Sequence, residues 1–127
     1  MEMFIQRAKE HEVVKFKGNE VGHANIKVVG SGGSGNNIVS WMYKRGIKGA
    51  DIIAMNTDSQ HLDISEADHK LLLGKDLTRG LGCGGFPQKG ADAAMESMSE
   101  IKGLLKNTDM VFVCGGMGGG TGTGSLP

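Results

Sequence analysis

The residues of this chain best suited to chemistry are glycines and the small polar side chains set among them. Fifteen of its 22 glycines fall into three clusters: Gly30-Ser31-Gly32-Gly33-Ser34-Gly35, Gly80-Leu81-Gly82-Cys83-Gly84-Gly85, and Gly115-Gly116-Met117-Gly118-Gly119-Gly120-Thr121-Gly122-Thr123-Gly124. Ordered glycine loses much backbone entropy, so such runs imply a turn through positive φ or the close approach of another group. At a helix start they gather several backbone N–H groups on one point, where the helix dipole favours an anion. Phosphate fits that chemistry. Gly30-x-Gly32-x-x-Gly35 also matches the dinucleotide fingerprint, with Asp58 placed after the next strand as a ribose partner. A P-loop is excluded, because Gly74-Lys75 is followed by Asp76.

These clusters are positioned by short apolar runs. Ile26-Lys27-Val28-Val29, Ile52 to Met55, Lys70 to Leu73 and Met110 to Cys114 read as buried strands. Ile38, Trp41 and Met42 keep helical spacing and end on Lys44-Arg45-Gly46, a sound helix C-terminus. Pro87 suits a first helical turn, and Ala91, Ala94, Met98, Ile101 and Leu105 continue an amphipathic stripe, predicting one helix to Leu105. Strands alternating with helices imply a mostly parallel sheet with helices on its faces, which binds ligands beyond the carboxyl ends of its strands. The first and third clusters and the triplet Asn56-Thr57-Asp58 each follow a strand directly, so they are expected to converge on one edge. Two glycine loops facing one edge suit a polyphosphate better than a single pyrophosphate. The hydroxyls of Thr121 and Thr123 add donors for phosphate oxygens or for the water shell of a metal.

Composition narrows the rest. Fourteen basic residues balance fourteen acidic ones in 127, one domain's length, and no basic patch interleaved with aromatics suggests nucleic acid. No signal peptide and no membrane-spanning run are evident. Cys83 and Cys114 form no close pair and read as free thiols of a reducing compartment, the cytoplasm. His11, His23, His61 and His69 lack metal-ligand spacing and read as surface residues. Residues 1–24 show no clean pattern and are expected to be an extension with disordered parts, ahead of a domain over 25–127.

Four segments, in order, resemble motifs of the FtsZ-type cell-division GTPases of the tubulin superfamily. Gly30 to Asn37 resembles the first phosphate loop, Asn56-Thr57-Asp58 the second loop, Leu77 to Gly82 the segment before the γ-phosphate loop, and Gly118 to Gly124 the signature loop. The resemblance implies an α/β fold, a mostly parallel Rossmann-like sheet with helices on both faces. It also implies GTP or GDP as ligand with Mg²⁺, GTP hydrolysis at subunit interfaces, and self-assembly head to tail into filaments of a cytoplasmic division ring, with further division proteins as partners. Carried over by position, Gly32 belongs to the nucleotide site, and Gly33, Ser34, Gly35, Asn36 and Asn37 hold the α- and β-phosphates from backbone N–H groups. Gly84 and Gly85 approach the γ-phosphate. Gly118, Gly119, Gly120, Thr121, Gly122, Thr123 and Gly124 cradle the phosphates from the other side, and Asp58 holds Mg²⁺ through water. Cys83 and Phe86 depart from the family's small residue and Asn before the loop's proline.

The same likeness implies an N-terminal portion of a longer protein. The guanine contacts, the central helix and the acidic catalytic loop have no counterpart here, so the segment alone is expected to be inactive. Two other readings stand beside it: a dinucleotide (NAD or FAD)-binding Rossmann domain of an oxidoreductase, and a non-catalytic segment whose sheet edge mediates assembly. The fourth strand is expected to be an unpaired apolar edge, and the glycine loop after it to lack a helix that anchors it.

Overall fold

The β-branched runs of the sequence form a single parallel sheet in the computed structural model, which describes residues 24–127. The extension expected over residues 1–24 lies, Ala24 apart, outside the described residues. The strands are β1 (Ile26–Ser31), β2 (Ala50–Asn56), β3 (His69–Leu72) and β4 (Met110–Gly115), in the spatial order β3-β2-β1-β4. All three pairings are parallel, with Ile26 opposite both Ala50 and Met110, and Ile53 opposite His69.

The helices are α1 (Gly32–Lys44), α2 (Ser59–Ile64), α3 (Lys75–Thr78), α4 (Pro87–Glu96), α5 (Met98–Leu104) and α6 (Thr121–Ser125). Side chains alternate across a strand, so adjacent valines serve opposite faces. Val28, Ile52 and Ala54 pack with Val39 and Met42 of α1 and Leu62 of α2. Val29, Ile53 and Met55 pack with Leu71, Leu73 and Ala93, against which Ile101, Leu104 and Leu105 lie. The sheet is thus covered by helices on both faces, the fold expected from the sequence.

Three local expectations need correction. The first glycine cluster is no loop: β1 passes at Ser31 straight into α1, so that Gly30 and Ser31 end the strand and Gly32 to Gly35 open the helix. The helix expected from Pro87 to Leu105 breaks at Ser97, whose φ of −94° and ψ of 13° leave the helical region. The Ser97 hydroxyl there accepts the buried N–H of Gly74 (3.0 Å), tying the break to the chain leaving β3. The third cluster does not run out as a loose end. It closes into α6, which packs on α4: a Cβ added at Gly124 would lie 1.9 Å from the Pro87 carbonyl oxygen.

The expectation for the fourth strand holds. β4 pairs only with β1 among the described strands, and Met110, Val111, Phe112 and Val113 are all exposed.

Candidate functional site

The order β3-β2-β1-β4 sends the chain outward from β1 to β3 and then back across to β4. Between β1 and β4 the connections leave in opposite directions, and an open crevice forms at their carboxyl ends. A cavity of about 440 Å³ occupies that place, lined by Ser31, Gly32, Gly33 and Ser34 on one side and by Gly116, Gly118, Gly119, Gly120, Thr121 and Gly122 on the other.

Serine is a favoured N-cap because its hydroxyl takes a first-turn N–H. Ser31 is the N-cap of α1, yet its side chain makes no cap bond. Its Oγ is bonded instead to Ser125 Oγ of α6, at 2.6 Å. The first-turn N–H groups of α1, which have no partner inside the helix, are left uncapped among the residues that line the cavity. The positive end of a 13-residue helix lies with them.

A buried polar network supports this floor. Asn36 is fully buried; its amide donates to the carbonyls of Gly30 and Met55, both at 2.9 Å, and its Oδ1 accepts from Asn56 Nδ2 at 2.9 Å. Asn56 Oδ1 in turn accepts the N–H groups of Thr57 (2.8 Å) and Asp58 (3.2 Å). Every polar atom of both side chains except one hydrogen of Asn56 is thus used in joining β1, α1 and β2. A satisfied buried network of this kind holds its members in one arrangement.

Three loops then meet beside the cavity. Thr57 Oγ1 and Thr121 Oγ1 are 2.7 Å apart, and the Cys83 thiol lies within 3.4 Å of the first and 3.5 Å of the second. Gly120 packs against Cys83 Cβ and the Phe86 backbone nitrogen, each 2.9 Å from where its own Cβ would be. The second cluster therefore abuts the third. Gly84 and Gly85 are exposed on that turn with φ of 59° and 79°, and Phe86 is 68% exposed. Asp58 caps α2, its Oδ1 accepting from His61 N at 3.2 Å.

The structure thus gathers Gly32, Gly33, Ser34, Gly118, Gly119, Gly120, Thr121 and Gly122 around one cavity, and sets Gly84, Gly85 and Asp58 on the loops bordering it. Other expected positions lie away from the lining of the cavity. Asn36 spends its side chain on the core, and in α1 its backbone N–H and that of Asn37 fall to carbonyls one turn back. Asn37 Oδ1 meets His61 Nε2 at 3.2 Å. Gly35 is a packing glycine, its Cβ position 2.6 Å from the Cys114 carbonyl oxygen. Thr123 Oγ1 is buried without a partner among the described residues, and Gly124 lies against α4. Ser31, Thr57 and Gly116 lay inside the clusters and the triplet expected to converge but were given no role of their own; their signal was position, each lying directly after a strand or at its end.

The family model described as "Tubulin/FtsZ family, GTPase domain" matches residues 25–127. The chain belongs to the tubulin/FtsZ family. Cell division protein FtsZ 2 of Methanocaldococcus jannaschii is 46% identical over 127 residues, all of this chain and 33% of the relative. Cell division protein FtsZ 2 of Pyrococcus furiosus is 50% identical over 123 residues, 96% of the chain and 29% of the relative. Among solved structures, the empty FtsZ dimer of M. jannaschii superposes with a TM-score of 0.81 at 46% identity, over 98% of this chain and 34% of that one. The GTPγS-bound CetZ2 protofilament of Haloferax volcanii does so at 0.71 and 26% identity, over 81% of this chain and 34% of that one. The chain spans about a third of the length of these tubulin/FtsZ relatives. Membership of the tubulin/FtsZ family does not favour the dinucleotide-binding alternative.

Among the described residues no helix is long and apolar enough to cross a membrane. None of the groupings of His, Cys, Asp and Glu there has three members placed to hold a metal. Magnesium bound with a polyphosphate keeps several waters and takes few protein ligands. A single carboxylate such as Asp58, with one oxygen engaged by the helix cap, is compatible with that mode.

Proposed function

We propose that the protein carrying this chain binds GTP and GDP across the cavity between β1 and β4 and hydrolyses GTP where subunits meet head to tail in a division filament. The observation that carries the reading is the uncapped first turn of α1 facing a second glycine loop across about 440 Å³. One such loop serves a pyrophosphate; two opposed loops suit a longer chain of phosphates. The N–H groups of Gly32, Gly33 and Ser34 hold one end of that chain, and Gly118 to Gly122 hold the other. Gly84 and Gly85 border the γ-phosphate end.

Asp58 holds Mg²⁺ through water, and the ion supplies neutralisation of phosphate charge. The groups that contact guanine and position the attacking water belong to the remaining two thirds of a full-length relative. The site of action is the cytoplasm at the plane of division. The relatives, cell-division proteins and a GTPγS-bound protofilament, support this reading.

Calorimetric titration of the full-length protein with GTP, ATP and NAD tests it. GTP is expected to bind in competition with GDP, and NAD to leave that binding untouched. Displacement of GTP by NAD, or equal binding of ATP and GTP, overturns the guanine-nucleotide reading.

A further inference from the structure

Thr57, Thr121 and Cys83 close a ring of three hydrogen bonds that joins the loop after β2, the second glycine cluster and the start of α6. The Cys83 thiol donates to Thr57 Oγ1 at 3.4 Å, and the Thr121 hydroxyl donates to Cys83 Sγ at 3.5 Å. Each group has a single proton, so the third bond, 2.7 Å between the two hydroxyl oxygens, runs from Thr57 to Thr121. Thr57 is 0% exposed and Cys83 is buried, whereas Thr121 lines the cavity. The three bonds are unequal. Sulfur is a weak acceptor, so the Thr121 proton rests on the poorest partner in the ring.

We propose that Thr57 is a positioning residue and Cys83 a temporary acceptor, together holding the Thr121 hydroxyl ready for a phosphate oxygen. On binding, the Thr121 O–H turns from sulfur to the phosphate. Thr57 continues to donate to Thr121 Oγ1, which fixes that oxygen and polarises its proton towards the anion. Nothing is transferred; one hydrogen bond exchanges its acceptor. A stronger acceptor at position 83 competes with the ligand, and loss of the donor at position 57 frees Thr121 to rotate. The proposal rests on the reading of this cavity as a phosphate site.

The test measures GDP and GTPγS affinity of the full-length protein and its variants, with melting temperature recorded for each. Thr57→Val keeps the shape but removes the donor, and is expected to weaken both nucleotides roughly 5- to 10-fold, the equivalent of one hydrogen bond. Thr57→Ser restores affinity to within about twofold, since its hydroxyl occupies the same place. Cys83→Ser is expected to weaken binding about threefold and Cys83→Ala to tighten it about twofold, because the first strengthens and the second removes the competing acceptor. Equal loss in Thr57→Val and Thr57→Ser, or changes of the same sign in the two Cys83 variants, overturns the proposal and leaves the phosphate site standing. Failure of the wild-type protein to bind either nucleotide overturns the functional reading and this proposal with it.

Discussion

Gly30 to Gly35 and Gly118 to Gly124 look alike as sequence and differ in what surrounds them. In the first run, Gly30 and Gly35 are pressed against backbone: their Cβ positions lie 2.2 Å from the Gly35 carbonyl oxygen and 2.6 Å from that of Cys114. The last run divides in two. Nothing lies within 4 Å of a Cβ at Gly118 or Gly119, while Gly122 and Gly124 would strike the carbonyls of Gly116 and Pro87 at 2.5 and 1.9 Å. Glycine therefore serves two ends here. At some positions it lets segments of backbone meet; at others it leaves a wall of the cavity bare. Composition cannot separate these roles, but substitution can.

The largest effect is expected at Gly124. Alanine there drives a methyl into the Pro87 carbonyl, with backbone on both sides and nothing flexible to yield. Chemical denaturation of the full-length protein is expected to show a loss of about 3 kcal/mol or more. A loss under 1 kcal/mol would mean that α6 can lift from α4, and that the packed half of the run is no different from the open half.

Asn36→Leu comes next. It leaves the carbonyls of Gly30 and Met55 and the amide of Asn56 without their partner inside the core. A buried group stranded in this way costs about 1–3 kcal/mol, and because groups of one network do not add the total loss is expected at about 2–3 kcal/mol. Urea titration checks it; a variant as stable as wild type removes the network from the account of how α1 is seated.

A smaller change is expected at Gly85, which is open in space but has a φ of 79°. Alanine there costs about 1 kcal/mol through left-handed backbone alone, read as a shift of the denaturation midpoint. Gly119→Ala has neither clash nor positive φ and is expected to alter stability by less than about 0.5 kcal/mol while weakening nucleotide binding, since Gly119 lines the cavity. A stability loss matching that of Gly124→Ala would erase the division of the run.

Thr123→Val is expected to be neutral or slightly stabilising, because the Thr123 hydroxyl is buried with no partner among the described residues. Thr121→Val, two residues earlier and lining the cavity, is expected to weaken GTP binding. A thermal melt and a titration on the same pair of variants separate the two threonines.

How much of this was legible beforehand depended on whether a signal was local. The four strands were, since Ile26 to Val29, Ile52 to Met55, Lys70 to Leu73 and Met110 to Cys114 are short, largely apolar runs bounded by glycine or polar residues. Helices on both faces followed from the alternation of elements. Convergence of the first and third clusters was legible because each directly follows a strand. The start of α1 was not, because a run of glycine and serine argues against helix by propensity, and what favours it is tertiary: the close passage of Gly35 by Cys114 and the bonds of Asn36. Nor was the break at Ser97, where a tertiary bond to Gly74 overrides a regular apolar stripe. The helices α2, α3 and α6 are four to six residues long, too short for periodicity to register. Where the side chains of Asn36 and Thr123 are directed was not legible either. A motif gives the order of residues, whereas the direction of each side chain is decided by the helix turn on which it falls.

The placing of β4 beside β1 has a consequence for the order in which the molecule is made. During synthesis β1 emerges first, and β2 gives it one neighbour by Asn56. Its other edge stays unpaired until Gly115 is translated, 59 residues later. At ribosomal speeds of about 5–20 residues per second, that interval is roughly 3–12 s. Through it the nascent chain carries an apolar strand with one bare side, and the ring joining Thr57 to Thr121 has no second half. Of the features formed by these four strands, the cavity is therefore the last to appear. A ligand that fills it cannot assist the pairing of β1 with β2; it can act only once β4 has joined them.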